Sequence, residues 1–149
     1  MKKLLTVVTF FLLAFSGEIK AQKLKITNNS SCTVTFAVYA HDLIMNACGD
    51  YTSNTFTIAP ANTVNFNSPH DLDAGTCTSI CWYSGGSIGS SPAWDQVKII
   101  VGSCSGFVGD PSGACTVTTS SSFATACCGP NGFTATWSVS MGIIYVTLQ

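Results

Sequence analysis

The chain contains no arginine and few charged residues of any kind. Charged side chains make up 9% of its 149 residues, every basic residue is a lysine, and the only glutamate is Glu18. Bidentate recognition of phosphate or carboxylate is excluded, because it requires a guanidinium group. Nucleic-acid binding is excluded as well, since the few lysines beyond residue 22 cannot neutralise a phosphate backbone. The polar surface must therefore consist mainly of serine, threonine and asparagine.

A segment long enough to span a membrane is also absent. The apolar run at residues 4–15 is too short, because crossing a bilayer takes about 20 residues. It follows a basic N-terminus and precedes a polar stretch that ends in the small residue Ala21, which is the arrangement of an export signal. We expect residues 1–21 to be a signal peptide, with cleavage after Gly17 as the alternative. Residues 22–149 are expected to form one secreted domain, either extracellular or periplasmic.

Cysteine, by contrast, is abundant. An even number of cysteines in an exported chain is typical of a disulfide framework. The alternative is a four-thiolate metal site that joins Cys77 and Cys81 to the vicinal pair at 127–128, but this spacing departs from the usual Cys-x-x-Cys pairs. We predict four disulfides. The eight cysteines are Cys32, Cys48, Cys77, Cys81, Cys104, Cys115, Cys127 and Cys128.

The positions of the cysteines also suggest some of their partners. Cys104 and Cys115 flank a glycine-rich loop, and we expect a disulfide between them to close it. Cys77 with Cys81 would close a small loop. The vicinal cysteines at 127–128 should each pair elsewhere, because adjacent residues of a strand point to opposite faces.

Hydrophobic periodicity predicts an all-β fold. Apolar residues alternate with threonine or other polar residues at 34–40 and at 133–139, the pattern of half-buried strands. We predict a single antiparallel β-sandwich or jelly roll of about eight strands, with a closed barrel as the alternative. The further strand segments are 24–26, 56–58, 64–66, 80–82, 97–101 and 144–148, and the main loops are 84–92, 103–113 and 129–132.

Two N-terminal segments share a pattern with a known family. In residues 25–36 a strand ends in two asparagines and is followed by Cys32 and a second strand, and residues 56–66 have the pattern of a further hairpin. These segments, about a quarter of the predicted secreted domain, resemble the opening of thaumatin-like proteins. The resemblance implies a β-sandwich whose N-terminal strands pair early. It implies no activity or site, because the family's arginine-bearing segment and acidic cleft have no counterpart here.

Residue types suited to catalysis are scarce. The only histidines are His41 and His70, and each is followed by an aspartate. No nucleophile-elbow motif is present, and we interpret both as surface histidines that begin loops. We therefore predict that the protein is not an enzyme, with a small Asp/His-dependent hydrolase as the distant alternative. The carboxylates available to a glycosidase would be Asp50, Asp71, Asp73 and Asp95.

Asp71 and Asp73 resemble a fragment of a calcium loop. Carboxylates two residues apart can converge on one hard cation, but the terminal glutamate of such a loop is missing. We expect no cofactor, with calcium at these two residues as the alternative.

The segment around two tryptophans contains the candidate ligand-binding residues Trp82, Tyr83, Trp94 and Asp95. Sugar C–H faces stack on exposed aromatic rings, and such rings beside glycine- and serine-rich loops favour a glycan or peptide surface. The alternative is that Trp82 and Trp94 belong to the core.

We therefore predict a non-catalytic secreted binding module for a glycan or an extracellular protein. The alternative is a self-associating structural component that pairs through an exposed edge strand at 143–148. Threonine pairs at 33/35, 55/57, 116/118 and 134/136 are spaced too irregularly to predict an ice-binding array. The ligand and the oligomeric state stay open.

Overall fold

The protein is described by a computed structural model, which covers residues 23–44, 47–83, 86–129 and 131–149. The predicted signal peptide and its cleavage site lie outside these residues. No helix in the described part of the chain is long and apolar enough to cross a membrane.

Within these residues the chain forms ten strands and two short helical turns, which confirms the all-β prediction. The strands are β1 (Lys23–Asn28), β2 (Val34–Asp42), β3 (Tyr51–Thr52), β4 (Phe56–Ile58), β5 (Asn62–Phe66), β6 (Pro92–Val101), β7 (Cys104–Gly109), β8 (Ser120–Phe123), β9 (Phe133–Ser140) and β10 (Ile143–Leu148). The helical turns are a 3-10 turn at Pro69–Leu72 and α1 at Thr125–Cys128.

The strands form two five-stranded sheets. The order in the first sheet is β5-β1-β10-β9-β8, and the order in the second is β3-β2-β6-β7, with β4 also paired to β2. Strands β1 and β10 are parallel, whereas the other pairs among the described strands are antiparallel. The expected antiparallel architecture therefore has one exception, where the last strand inserts between β1 and β9.

The insertion of β10 overturns one expectation. Because both sides of β10 are hydrogen-bonded, to β1 and to β9, it cannot be the exposed edge through which copies of the chain would pair. The edges of the first sheet are β5 and β8.

One hydrophobic core lies between the two sheets. It is built from alternate residues of the strands, because successive side chains of a strand point to opposite faces. Each fully buried aliphatic or aromatic side chain contributes about 1.5–3 kcal/mol relative to an exposed position. Core residues less than 2% exposed include Leu24, Ile26, Val34, Phe36, Val38, Val97, Ile99, Val108, Val146 and Leu148.

The hairpin suggested by residues 56–66 does not form. Strand β4 pairs with β2 in the second sheet, whereas β5 pairs with β1 in the first, so the chain crosses from one sheet to the other between them. Ala61 lies in this crossing with a φ of 61°, and its amide donates to the carbonyl of Asn28 at 2.7 Å. Thus β1 and β2, expected to pair early, lie in different sheets.

Asn28 stabilises the end of β1 from inside the protein. Its side chain is fully buried, and the amide nitrogen donates to the carbonyls of Cys32 and Ile58, both at 2.8 Å. Its side-chain oxygen accepts from the backbone N–H and the hydroxyl of Ser30. The buried amide is therefore fully hydrogen-bonded, as a buried polar group must be.

The eight cysteines form four disulfides, as predicted. The Cys77–Cys81 bridge is confirmed, and the vicinal cysteines pair with different partners. The expected bridge between Cys104 and Cys115 is wrong, because residues 104–109 form β7 instead of a loop, which puts Cys104 at the start of that strand. The bridges are Cys32–Cys128, Cys48–Cys115, Cys77–Cys81 and Cys104–Cys127.

The predicted strands and loops also differ from the structure at several places. Residues 80–82 do not form a strand, and Trp82 makes only an isolated bridge to Ser53. Strands β7 and β8 were not predicted from the sequence. Serine and glycine occupy many of the positions at which an alternating strand would have apolar residues. Gly106 of β7 must be small, because a Cβ there would lie 2.6 Å from the Ser121 hydroxyl and 3.0 Å from the Phe123 ring.

Candidate functional site

The four residues predicted to bind a ligand do not share a surface. Trp82 and Trp94 are 2% and 4% exposed, and their ring centroids lie 6.1 Å apart within the core. Asp95 is buried as well, whereas Tyr83 is 85% exposed. The two tryptophans therefore occupy core positions, which was the alternative interpretation, because Phe66 and Tyr51 extend the aromatic cluster around them. In this arrangement only Tyr83 presents its ring to a ligand.

Asp73, one of the two calcium candidates, is a buried structural acceptor. One carboxylate oxygen accepts from Trp82 Nε1 at 2.9 Å and from the amide of Ile88 at 2.8 Å, and the other lies 2.8 Å from Nδ1 of His70. The carboxylate of Asp71 instead accepts from the amide of Asn67 at 2.6 Å. The two carboxylates thus serve different local contacts, and calcium binding stays a prediction. Within the described ranges no cluster of three or more His, Cys, Asp or Glu side chains could hold a metal ion.

The two histidines differ in exposure. The side chain of His70 is 45% exposed, whereas His41 is buried, so the prediction of a surface position is wrong for His41. Its Nδ1 lies 2.5 Å from a carboxylate oxygen of Asp95, and the other oxygen of Asp95 accepts from the amide of Gly49 at 2.9 Å. His41 Nε2 is buried without a hydrogen-bond partner.

A β-bulge brings Asp95 to His41. The register between β2 and β6 shifts between Tyr39 and Ala40, so that Asp95 is the extra residue of β6. A bulge redirects a side chain that would otherwise follow the strict alternation of the strand. Burial raises the pKa of the Asp95 carboxyl above its ordinary value, and Asp50 raises it further, while the Gly49 amide and His41 lower it in part.

Neither His–Asp pair is joined to a nucleophile by a hydrogen bond within the part of the chain that the structure describes. An aspartate that fixes an imidazole is one part of such a site, but a nucleophile must lie within reach of the other ring nitrogen. Among the residues that the structure describes, no serine, threonine or cysteine side chain is hydrogen-bonded to either imidazole. Both pairs have a structural role, since Asp95 fixes the segment at Gly49 and Asp73 fixes Trp82.

The outer face of the first sheet is an open array of polar side chains, which we call the threonine face. Its residues alternate with the core residues of the five strands, and most of them are threonine or serine. The threonine face consists of Lys23, Lys25, Thr27, Thr63, Asn65, Ser120, Ser122, Thr134, Thr136, Ser138, Ser140, Ile143, Tyr145 and Thr147.

The strand register aligns hydroxyl groups in a row across this face. From β5 to β8, the aligned residues are Thr63, Thr27, Thr147, Thr136 and Ser120. Neighbouring strands lie about 4.8 Å apart, so the row extends over about 19 Å. The hydroxyls of Thr27 and Thr63 lie 3.1 Å apart, within hydrogen-bonding distance.

A second row runs beside the first and contains the one aromatic ring of the face. Lys25 lies opposite Asn65 on one side and Tyr145 on the other, and Ser138 follows Tyr145. Tyr145 is half-buried, while the other three residues of this row are exposed. An aromatic ring, an amide, an ammonium group and several hydroxyls therefore converge within three strands.

Comparison of the chain with protein-family models, with curated proteins and with solved structures finds no match. The resemblance of residues 25–36 and 56–66 to thaumatin-like proteins has no support from these comparisons. Any functional assignment depends on the geometry of this chain's own residues.

The threonine face was missed by sequence reasoning, although its residues were visible. The four threonines of the row, at positions 27, 63, 136 and 147, are far apart along the chain and show no regular spacing. They align only because β1 pairs with both β5 and β10, and β10 with β9. Only the order and register of the strands would have revealed that these threonines form a row.

Proposed function

We propose that the protein is a secreted, non-catalytic glycan-binding module, and that the threonine face is its binding surface. The observation that carries the proposal is the alignment of four threonines and a serine across five strands, next to Tyr145. The four disulfides support an extracellular or periplasmic location, because such bridges persist in oxidising compartments.

The chemistry of the face suits a carbohydrate. Each threonine or serine hydroxyl is both a donor and an acceptor, as is each sugar hydroxyl, so the two surfaces can exchange hydrogen bonds in several registers. The ring of Tyr145 offers an apolar surface for the C–H face of a sugar ring. An array about 19 Å wide is large enough for several sugar units of an extended chain.

A glycan is favoured over a protein partner by the composition of the face. The cores of protein interfaces are enriched in aromatic residues, methionine and arginine and are depleted in serine. On the threonine face the only large apolar side chains are those of Ile143 and Tyr145, both half-buried. In the free protein the hydroxyl groups of this face stay hydrated. In the complex their hydrogen bonds can be made by sugar hydroxyls and bridging water molecules.

The proposal is tested on an array of immobilised oligo- and polysaccharides with the wild-type protein and two tyrosine variants. We expect wild-type binding to at least one glycan, a strong loss of binding in Tyr145→Ala, and full binding in the matched control Tyr83→Ala. Tyr83 is the exposed tyrosine of the loop that the sequence suggested. Thr136→Val, which removes a hydroxyl while keeping the shape, should weaken binding without disturbing the fold.

Each outcome has a definite meaning. Loss of binding in Tyr83→Ala with full binding in Tyr145→Ala would move the site to the loop and overturn the assignment of the threonine face. Absence of binding to every glycan on the array would overturn the proposed function itself.

A further inference from the structure

The charged side chains of the threonine face are both positive, whereas the acidic side chains of the described residues lie elsewhere. Lys23 and Lys25 both lie on the outer face of β1, and both are exposed. None of the five strands of the first sheet contains an aspartate or a glutamate. The acidic side chains of the described residues lie elsewhere: Asp42, Asp50, Asp71, Asp73, Asp95 and Asp110.

Neither lysine of the threonine face has an ion-pair partner among the residues that the structure describes. The ion pairs among the described residues are the two His–Asp pairs, and neither involves a lysine. Lys98, the remaining lysine of the described chain, is on the second sheet, where its ammonium group lies 5.7 Å from the centre of the Phe107 ring. Two positive charges therefore project from the threonine face of an otherwise acidic domain.

The surroundings of Lys25 suit an anionic group. In the register of the sheet it lies between Asn65 and Tyr145, whose side chains can donate hydrogen bonds to the same anion. Lys23 projects from the same face two residues away, about 7 Å along the strand. A ligand with repeated anionic groups can thus reach both lysines while it lies across the hydroxyl row.

From this arrangement we infer that the ligand of the threonine face is an acidic polysaccharide, one whose repeating units contain carboxylate or sulfate groups. This inference rests on the proposed function, and it specifies the class of glycan. A small anion would gain little, because a single exposed ion pair contributes little to binding. A polymer gains more, since once one anionic group is bound the next binds intramolecularly.

The inference is tested with pairs of polysaccharides that differ only in charge: polygalacturonic acid against its methyl ester, and dextran sulfate against dextran. We expect the wild-type protein to bind at least one acidic member more tightly than its neutral partner, with an affinity that falls as salt is added. The double variant Lys23→Gln/Lys25→Gln should lose about tenfold in affinity for that acidic member. Lys98→Gln is the control on the opposite sheet; it removes one charge, half the change of the double variant, and it should bind like the wild type.

The results separate this inference from the proposed function. Equal affinity for the acidic and the neutral member of both pairs, or an equal loss in Lys98→Gln and in the double variant, overturns the acidic specificity and leaves glycan binding intact. Absence of binding to all four polymers, together with a negative glycan array, overturns both. Preference within the galacturonate pair alone identifies a carboxylated polymer, and preference within the dextran pair alone a sulfated one.

Discussion

The outer faces of the two sheets follow the same alternation of residues but differ in what lies on them. The threonine face carries hydroxyls, two lysines and no acidic side chain. The outer face of the second sheet, which we call the covered face, contains the buried pair His41–Asp95. The covered face consists of Thr35, Ala37, Tyr39, His41, Ala93, Asp95, Gln96, Lys98, Ile100, Ser105 and Phe107.

Segments outside the sheet account for the burial on the covered face. Gly49 donates its amide to Asp95, and a Cβ on Gly49 would lie 3.2 Å from the Tyr39 ring. The neighbouring Cys48 is bridged to Cys115, which is 2% exposed. The lesson is that an outward position in a strand becomes a surface position only where no other segment packs over it. On the covered face the enclosed pair His41–Asp95 serves the fold, while Ser105 and Phe107 on the same face are exposed. We propose that the polar residues of the threonine face contact a ligand.

The largest effect should come from releasing the segment over the covered face. The Cys48–Cys115 bridge closes 67 residues, and in the chain-entropy description such a loop contributes up to about 4 kcal/mol to stability. We expect Cys48→Ser/Cys115→Ser to lower the unfolding free energy by about this amount, measured by urea denaturation. The control Cys77→Ser/Cys81→Ser opens a loop of sequence separation 4 and should cost about 2 kcal/mol. Equal losses for the two variants would contradict this account.

The next effect concerns the ion pair beneath that segment. His41→Ala leaves the Asp95 carboxylate buried, with the Gly49 amide as its remaining hydrogen-bond partner among the described residues. Breaking a buried pair by removing one partner costs about 3 kcal/mol or more. We expect a destabilisation of this size by urea denaturation, and in a double-mutant cycle with Asp95→Ala the two losses should not add. Strict additivity would mean that the pair does not act as a unit.

A smaller effect should appear in the pH dependence of stability. Burial raises the pKa of Asp95 above the ordinary value of 3.8, so its protonated form is favoured in the folded state relative to the unfolded state. Its contribution to stability is present in full below pH 3.8 and is lost as the pH rises through the folded-state pKa. The stability of Asp95→Asn relative to the wild type should therefore increase as the pH rises from 3.8 towards neutrality, measured by denaturation at a series of pH values. Asp71→Asn controls for the loss of one negative charge, and the same trend in this control would contradict the assignment.

The smallest effect is expected on the threonine face. Thr136→Val and Thr147→Val replace hydroxyls on the outer side of the first sheet, where substitutions usually change stability by no more than about 0.5 kcal/mol. Thermal unfolding should therefore be nearly unchanged in both variants. A loss comparable to that of His41→Ala would show that this face is structural too, and would remove the contrast between the two faces.

The fold class followed directly from the sequence, while parts of the connectivity did not. Alternating apolar residues at 34–40 and 133–139 identified β2 and β9 correctly, because burial of one face demands that period. Strand β7 contains two glycines and two residues with small polar or thiol side chains, so the alternation is weak, and the structure stabilises it through pairing with β6. The wrong bridge from Cys104 to Cys115 came directly from treating that strand as a loop.

The candidate binding residues show the same limit. Trp82 and Tyr83 are neighbours in sequence, yet one is buried against Trp94 and the other is exposed. Composition suggested an aromatic surface there, but it contained no information about which ring the aromatic cluster would enclose.

By itself, the sequence determined that the protein is an all-β sandwich with four disulfides and little charge, because these properties depend on composition and on the local alternation of residues. Only the tertiary structure decided that β10 inserts beside β1, that His41 and Asp95 are enclosed by a cross-linked segment, and that four distant threonines form one row. The physical reason is that alternation specifies which side of a strand is apolar, whereas strand neighbours and register depend on contacts between residues far apart in the chain.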